Sequence, residues 1–183
     1  MFLFKPVKPV DLTVKIRCPQ WLSPNAQFSL NGRKLDVSGN AGQYAAIHRQ
    51  WQDGDKLEVK LPMSLHFETL PNDQNYVAFL CGPIVLAGRL GTEGLPSCYA
   101  PNQNDFKKVV DPNVPVLVAD INNISDYIEP VAGSHRTFKT KGIGKPNDIT
   151  MVPFYQLHHE RYSVYWQVIT EEMWNKENIE NSR

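Results

Sequence analysis

The feature that most constrains this chain is one long apolar stretch, residues 75–90, with the sequence NYVAFLCGPIVLAGRL. It carries no charged side chain before its penultimate residue, and Gly82-Pro83 divides it into halves. A transmembrane helix needs about 20 apolar residues, and a central Gly-Pro pair would interrupt its hydrogen bonds. Each half has the length of a strand and lacks alternation, which is typical of strands covered on both faces. The stretch therefore predicts two short buried strands at the centre of a β domain.

The composition favours a β-rich chain and disfavours partners that bind through charge. The 183 residues are 42% hydrophobic, which suits one ordinary β domain or two small ones. Fourteen prolines argue against long helices. Nineteen basic and nineteen acidic residues cancel, whereas nucleic-acid-binding proteins usually carry a basic excess. We therefore expect neither a nucleic-acid nor a membrane partner, and the opening Met-Phe-Leu-Phe-Lys is not typical of a signal peptide.

The first half of the chain carries repeated strand and turn signals. Residues 12–18 and 56–61 alternate between apolar and polar side chains, as half-buried strands do. Asn31-Gly32 predicts a tight hairpin, and Gly54 lies in a turn at a position that favours a left-handed backbone. Together with the central apolar stretch, these signals predict an all-β fold: an antiparallel, jelly-roll-like β-sandwich over residues 1–90.

The second half predicts another, smaller β module. Residues 91–113 are rich in Gly, Pro, Asn and Asp, which indicates a connecting segment, and strand patterns return over residues 114–170. Residues 157–169 predict one strand, with Tyr162, Val164, Trp166 and Val168 on an apolar face and His159, Arg161, Ser163, Tyr165 and Gln167 on a polar one. Residues 171–183 predict a short helix or a frayed tail, with Thr170 as its cap.

No metal or other cofactor site is predicted. The cysteines at positions 18, 81 and 98 lack metal-type spacing, and Cys18 and Cys81 lie in apolar surroundings typical of buried free thiols. His158 and His159 are neighbours in an extended segment, so their imidazoles point to opposite sides.

Catalytic carboxylates are not evident either. Hydrolysis of a glycosidic bond needs two acids at a defined separation. The candidates, Glu68, Asp126, Glu129 and Glu160, occupy no recognisable loop motif, and we interpret them as solvated surface groups.

Five side chains are candidates for a carbohydrate-binding or interface surface: Trp51, Tyr155, His159, Arg161 and Tyr165. Aromatic rings stack on sugar faces, but they also dominate protein interfaces and cores. For Tyr165 with Arg161 and His159 we favour an interface, because Tyr and Arg are enriched there.

A series of short motifs also occurs in a characteristic order. They are Arg17-Cys18-Pro19-Gln20-Trp21, Asn31-Gly32-Arg33, Arg49-Gln50-Trp51-Gln52-Asp53-Gly54-Asp55, Leu61-Pro62-Met63, Gly82-Pro83, Pro153-Phe154-Tyr155, His158, Arg161-Tyr162 and Tyr165-Trp166. In this order they resemble the β-sandwich region downstream of the catalytic barrel in glycoside hydrolase families 127 and 146. These are bacterial β-L-arabinofuranosidase-like enzymes of plant-glycan degradation, typified by gut Bacteroides.

The resemblance implies where catalysis takes place in those proteins. It belongs to an upstream (α/α) barrel, with a zinc-bound cysteine nucleophile and a glutamate acid/base. No cysteine of this chain matches that motif, so no catalytic residue carries over, and the chain alone is not predicted to be an enzyme. His159-Glu160 stands where relatives often have Asp-Ala, which puts a family role for that pair in doubt.

The resemblance also implies a role and a partner. It indicates a non-catalytic, N-terminally truncated accessory region of a hydrolase that acts on arabinose-containing plant glycans, in a periplasmic or extracellular setting. The expected partner is the catalytic barrel, or a second copy of the chain through an exposed sheet edge. A free-standing carbohydrate-binding module is the alternative.

Overall fold

The computed structural model describes residues 1–95 and 113–181, in two compact units, Met1–Ser64 and Leu65–Arg183. Strands make up most of the regular structure in both units, so the predicted all-β class is confirmed. No helix among these residues is long and apolar enough to cross a membrane. Most of the predicted connecting segment, including Cys98, lies outside the described residues.

The first unit is a small antiparallel sandwich of six strands. A four-stranded sheet has the order β1-β6-β3-β4, and β2 pairs with β5 in a second sheet. One buried cluster takes side chains from both sheets, among them Phe28, Leu57 and Ile47. The strands are β1 (Phe2–Leu3), β2 (Val10–Arg17), β3 (Gln27–Leu30), β4 (Arg33–Leu35), β5 (Tyr44–Trp51) and β6 (Lys56–Lys60).

Side-chain hydrogen bonds connect two turns of the first unit. Asn31 and Gly32 have φ angles of 50° and 80°, which confirms the predicted hairpin between β3 and β4. The side chain of Asn31 donates to the Asp55 carboxylate at 2.8 Å and accepts from the Lys56 N–H at 2.8 Å. This pair of bonds joins the β3–β4 hairpin to the turn between β5 and β6, where Gly54 has the predicted positive φ of 85°.

The second unit is built around one ten-stranded sheet. Its strands are β7 (Leu65–Leu70), β8 (Asp73–Cys81), β9 (Ile84–Arg89), β10 (Val116–Val118), β11 (Ile128–Pro130), β12 (Phe138–Thr140), β13 (Gly144–Lys145), β14 (Thr150–Pro153), β15 (Tyr162–Ser163) and β16 (Trp166–Ile169). Short 3₁₀ turns span Ile121–Tyr127 and Phe154–Gln156, and the helix α1 spans Glu171–Asn181. Thr170 caps α1, as predicted, because its hydroxyl accepts from the Met173 N–H at 3.3 Å.

The apolar stretch at 75–90 forms the centre of this sheet, as predicted. Strand β8 pairs with β7, β9 and β16, and β9 pairs in addition with β14 and β15. Val77, Phe79 and Leu86 are fully buried, whereas alternate positions of β8 are only half-buried. The sheet is not wholly antiparallel, because β10 and β16 run parallel.

The domain division differs from the one expected from the sequence. Strands β7 to β9 fall within the range predicted for the first sandwich, yet they share a sheet with the strands of the second unit. The reason is long-range pairing, since the partners of β9 include Met151 and Ser163.

The single strand predicted over residues 157–169 is wrong. A bend at Val164 separates β15 from β16, and the Ser163 hydroxyl donates to the Tyr165 carbonyl at 2.7 Å. The chain changes partner there, because β15 pairs with β9 and β16 pairs with β8. Trp166 and Val168 are buried as predicted, but Tyr162, predicted on the same apolar face, is exposed.

Candidate functional site: an exposed aromatic segment

Residues 154–165 of the second unit, here called the aromatic segment, place four large rings at the surface. Phe154, Tyr155, Tyr162 and Tyr165 expose 43%, 57%, 47% and 48% of their areas. The Phe154 and Tyr162 rings contact each other, with their centroids 4.9 Å apart. Exposed aromatic rings that contact each other can mark an interaction surface, so this segment is the candidate binding surface of the second unit.

The backbone of the aromatic segment is held by the central sheet. Strand β14 ends at Pro153, the 3₁₀ turn follows directly, and β15 returns the chain to the edge of β9. The Arg161 carbonyl accepts from the Leu90 N–H at 2.9 Å, and the Arg161 N–H donates to the Gly91 carbonyl at 3.0 Å. The residues that carry the rings are therefore held in place by strand pairing and backbone hydrogen bonds.

Charged groups lie beside the rings. Arg89 and Glu160 form an ion pair of 2.7 Å, in which the glutamate side chain is largely covered. Nη2 of Arg161 is shielded from solvent and has no hydrogen-bond partner within the described parts of the chain. A shielded guanidinium N–H without an acceptor is costly.

Four of the five predicted candidates lie in one short surface stretch of the second unit. Tyr155, His159, Arg161 and Tyr165 all belong to the aromatic segment, and His159 turns the chain with a φ of 52°. Trp51 belongs to the first unit and is fully buried. Its ring stacks on Phe4 with centroids 3.8 Å apart, and its indole N–H donates to the Leu12 carbonyl at 3.1 Å, so it offers no surface to a ligand.

Sequence reasoning missed two members of the segment, Phe154 and Tyr162. Phe154 directly follows Pro153, which ends β14 and allows the next ring to turn outward. Tyr162 has the spacing of a core position, and no local signal marks the bend that follows it.

Of the four acids considered for catalysis, two form ion pairs and two are exposed to solvent. Glu160 pairs with Arg89, and Glu129 pairs with Lys141 at 2.6 Å, which raises the pKa of the lysine. Glu68 and Asp126 are exposed strand and turn residues. In residues 1–95 and 113–181, no three His, Cys, Asp or Glu side chains converge as a metal site would require.

Comparison with protein families divides the chain where the structure does. Residues 66–168 match the model of the DUF4986 family, described as a domain of unknown function. The chain belongs to this family. Its residues 1–63 match the model described as Beta-L-arabinofuranosidase, GH127 middle domain. The DUF4986 match corresponds to the second unit and the GH127 match to the first, and the resemblance to family 127 seen in the sequence is confirmed.

Solved structures share the fold over nearly the whole DUF4986 chain. A protein named "Glycoside hydrolase" matches 91% of it at 18% identity and a TM-score of 0.57. Ara127N-Se, a GH127 β-L-arabinofuranosidase from Geobacillus stearothermophilus T6, matches 90% at 20% identity and a TM-score of 0.53. A GH127 β-arabinofuranosidase, BT3674, matches 88% at 21% identity and a TM-score of 0.52.

This chain spans only 29%, 28% and 28% of the lengths of those three proteins. No curated protein matches it.

Proposed function

We propose that the chain is a non-catalytic accessory region of a glycoside hydrolase acting on arabinose-containing plant glycans, and that it supports a catalytic barrel carried by another polypeptide segment. The observation that carries this proposal is the aromatic segment: four exposed rings beside Arg161, on a chain whose first 63 residues match a GH127 middle domain. The role of the segment is to dock the barrel.

The chemistry of the aromatic segment suits a protein interface. Tyr and Arg are over-represented among residues that dominate binding energy, and they act best when held in place before binding. The Arg89–Glu160 pair gives the patch a polar border, as interface rims usually have.

The electrostatics of two carboxylates support a structural rather than a catalytic role for them. A general acid for glycoside hydrolysis needs a raised pKa. The pKa of Asp55 is instead lowered, first by the Gln52 N–H and then by Asn31 and Arg49. Burial alone would raise the pKa of Asp148, but hydrogen bonds from Gly142, Gly144 and Thr140 outweigh it and lower the value.

The test is a binding titration between this chain and a β-L-arabinofuranosidase-type barrel encoded in the same genome. Tyr155→Ala and Tyr165→Ala should each weaken binding by at least tenfold, as truncation of interface aromatics commonly does. Tyr127→Ala is the matched control, because Tyr127 is a comparably exposed tyrosine outside the aromatic segment, and it should change the Kd by less than about twofold.

A parallel titration with arabinan oligosaccharides distinguishes the alternative. Heat of glycan binding that disappears in Tyr155→Ala, with no binding of the barrel, would make the chain a carbohydrate-binding module and overturn the proposal. Hydrolysis of an aryl arabinofuranoside by the chain alone would overturn the non-catalytic role.

A further inference from the structure

Asn31-Gly32, the pair at the tip of the β3–β4 hairpin, is a chemically labile sequence. Asparagine is a thermolabile residue, because the backbone nitrogen of the following residue can attack its side-chain amide. Glycine makes this attack easiest, since it has no side chain to crowd the nitrogen and leaves the backbone free to turn. No other Asn-Gly pair occurs in the 183 residues, so this is the position of the chain where such a reaction is expected first.

Solvent shielding does not protect this pair in the folded chain. Both residues are exposed. Around the position where a side chain on Gly32 would begin, no non-neighbouring atom of the described residues lies within 4 Å. Any protection must therefore come from the way the asparagine side chain is held.

The Asn31 side chain is held at both ends of its amide. Its Nδ2 donates to Oδ1 of Asp55 at 2.8 Å, and its Oδ1 accepts from the Lys56 N–H at 2.8 Å. The Asn31 N–H donates to the Lys56 carbonyl at 2.9 Å. Asp55 is itself anchored, because its Oδ2 accepts from the Gln52 N–H at 2.9 Å and lies 3.4 Å from Nη2 of Arg49. Attack on the amide carbon makes that carbon tetrahedral and then expels Nδ2, so the reaction disrupts both amide bonds.

We propose that Asn31 is a deamidation site that the folded first unit protects, and that reaction there during unfolding lowers the stability of the unit irreversibly. In the reaction, the Gly32 nitrogen loses its proton to water or base and bonds to Cγ of Asn31. The Cγ–Nδ2 bond breaks, ammonia leaves, and a five-membered succinimide remains. Water then opens the ring at either carbonyl carbon, which gives aspartate or isoaspartate at position 31 without any oxidant or reductant.

Both products conflict with the turn that protects Asn31. Aspartate has no side-chain N–H, so its carboxylate would face the Asp55 carboxylate where a donor now lies at 2.8 Å. Asp55 is nearly buried, and two like charges at such a place repel strongly. Isoaspartate adds a methylene to the backbone of a two-residue hairpin loop, since Leu30 pairs with Arg33. The inference concerns the first unit alone and does not depend on the proposed support role.

The first experiment follows deamidation of the full chain at pH 8 by peptide mass spectrometry. The reference is an acetylated and amidated peptide with the sequence QFSLNGRKLD of residues 27–36. In buffer, Asn31 of the chain should react at least tenfold more slowly than the peptide, because only molecules with an open first unit react. In unfolding concentrations of guanidinium chloride, the rates of chain and peptide should agree within about twofold.

Two variants test whether the Asp55 contact provides the protection. Asp55→Ala removes the acceptor of the Asn31 amide and should raise the rate in buffer at least fivefold. Asp148→Ala is the matched control, because it removes a carboxylate that accepts from Thr140 and Gly142 in a turn of the second unit. It should leave the rate at Asn31 within about twofold. The comparison of the unaltered chain with the peptide decides the question even if Asp55→Ala fails to fold.

Substitutions also test the effect of the product. Asn31→Asp should lower the urea midpoint at the indole resonance of Trp51, in the first unit, and leave that of Trp166, in the second, unchanged. Adding Asp55→Asn replaces one of the two facing carboxylates by an amide that can donate to the other. The double variant should therefore have a higher Trp51 midpoint than Asn31→Asp alone, a coupling that independent sites do not show.

Three results would overturn the inference. One is a rate in buffer equal to that of the peptide, since the fold would then give Asn31 no protection. Another is an equal increase of the rate in Asp55→Ala and Asp148→Ala, which would remove the role of the Asp55 contact. The third is an unchanged Trp51 midpoint in Asn31→Asp, because the first unit would then tolerate the product.

Discussion

Replacing Asp148 with alanine should selectively weaken the second unit. One carboxylate oxygen of Asp148 accepts from the Thr140 hydroxyl at 2.8 Å and from the Gly144 N–H at 3.1 Å, and the other accepts from the Gly142 N–H at 2.8 Å. The Thr140 hydroxyl in turn accepts from the Ile149 N–H at 2.8 Å. One side chain therefore fixes the turn that joins β12, β13 and β14.

The magnitude follows from these three bonds. Each contributes about 1 kcal/mol net, and the gain from the negative charge is offset by partial exposure of the carboxylate. Asp148→Ala should thus lower the free energy of unfolding by about 3 kcal/mol, and Asp148→Asn, which keeps one oxygen acceptor, by about 1.5 kcal/mol. With an m-value of about 2 kcal/mol/M, the alanine variant shifts the urea midpoint by about 1.5 M.

The assay follows two indole N–H resonances during urea unfolding. Trp166 is buried in the second unit and Trp51 in the first, so each unit has its own reporter. The Trp166 midpoint should fall while that of Trp51 stays in place. An unchanged Trp166 midpoint, or an equal fall in both, would refute the reasoning.

The same carboxylate predicts a pH dependence. The pKa of Asp148 is lowered in the folded chain, because its hydrogen bonds outweigh burial. Its contribution is therefore fully present above the unfolded-state pKa of about 3.9 and is lost as the pH falls through the lowered folded value. The stability difference between wild type and Asp148→Asn should be constant from pH 5 to 7 and shrink below about pH 4. If the stability difference between the two proteins instead grows on acidification, the predicted direction of the pH dependence is wrong.

Three further predictions concern the cores. Gly88→Ala should destabilise the second unit by about 1–3 kcal/mol, measured at the Trp166 indole, because the added methyl would overlap Trp166 and Ile149. Asp55→Ala should lower the Trp51 midpoint alone, since the nearly buried Asp55 carboxylate serves the first unit. Burial raises the pKa of the Cys81 thiol, so iodoacetamide at pH 8 should label Cys81 only in urea; fast labelling in buffer, seen by peptide mass spectrometry, would refute this.

Local chemistry determined what could be predicted from the sequence. The Asn31-Gly32 hairpin and the left-handed Gly54 were predictable because each conformation is set by one or two residues. The burial of Val77, Phe79 and Leu86 was predictable because an apolar stretch with few charges must be covered, but the opposite face of β8 is only half-buried. The aromatic segment was predictable in part, since alternation over residues 157–169 puts Tyr165 on the polar face with Arg161 and Gln167.

Pairing between distant strands could not be predicted in the same way. The break between β15 and β16 depends on which neighbour each piece finds, β9 or β8. Alternation over residues 157–169 is equally compatible with one continuous strand, so Tyr162 appeared to be a core residue. The burial of Trp51 likewise depends on Phe4, 47 positions away.

The two units also differ in how much of the chain must be synthesised before their strands can pair. Every strand partner in the first unit lies within residues 1–64, so its sheets can close as soon as that part leaves the ribosome. Gly88, by contrast, pairs with both Met151 and Ser163. The hydrophobic strand β9 can pair early only with β8, and its pairing with β15 is complete only 74 residues after its last residue, when Ser163 has been added. The nascent second unit is therefore the part of this polypeptide that most needs protection by chaperones.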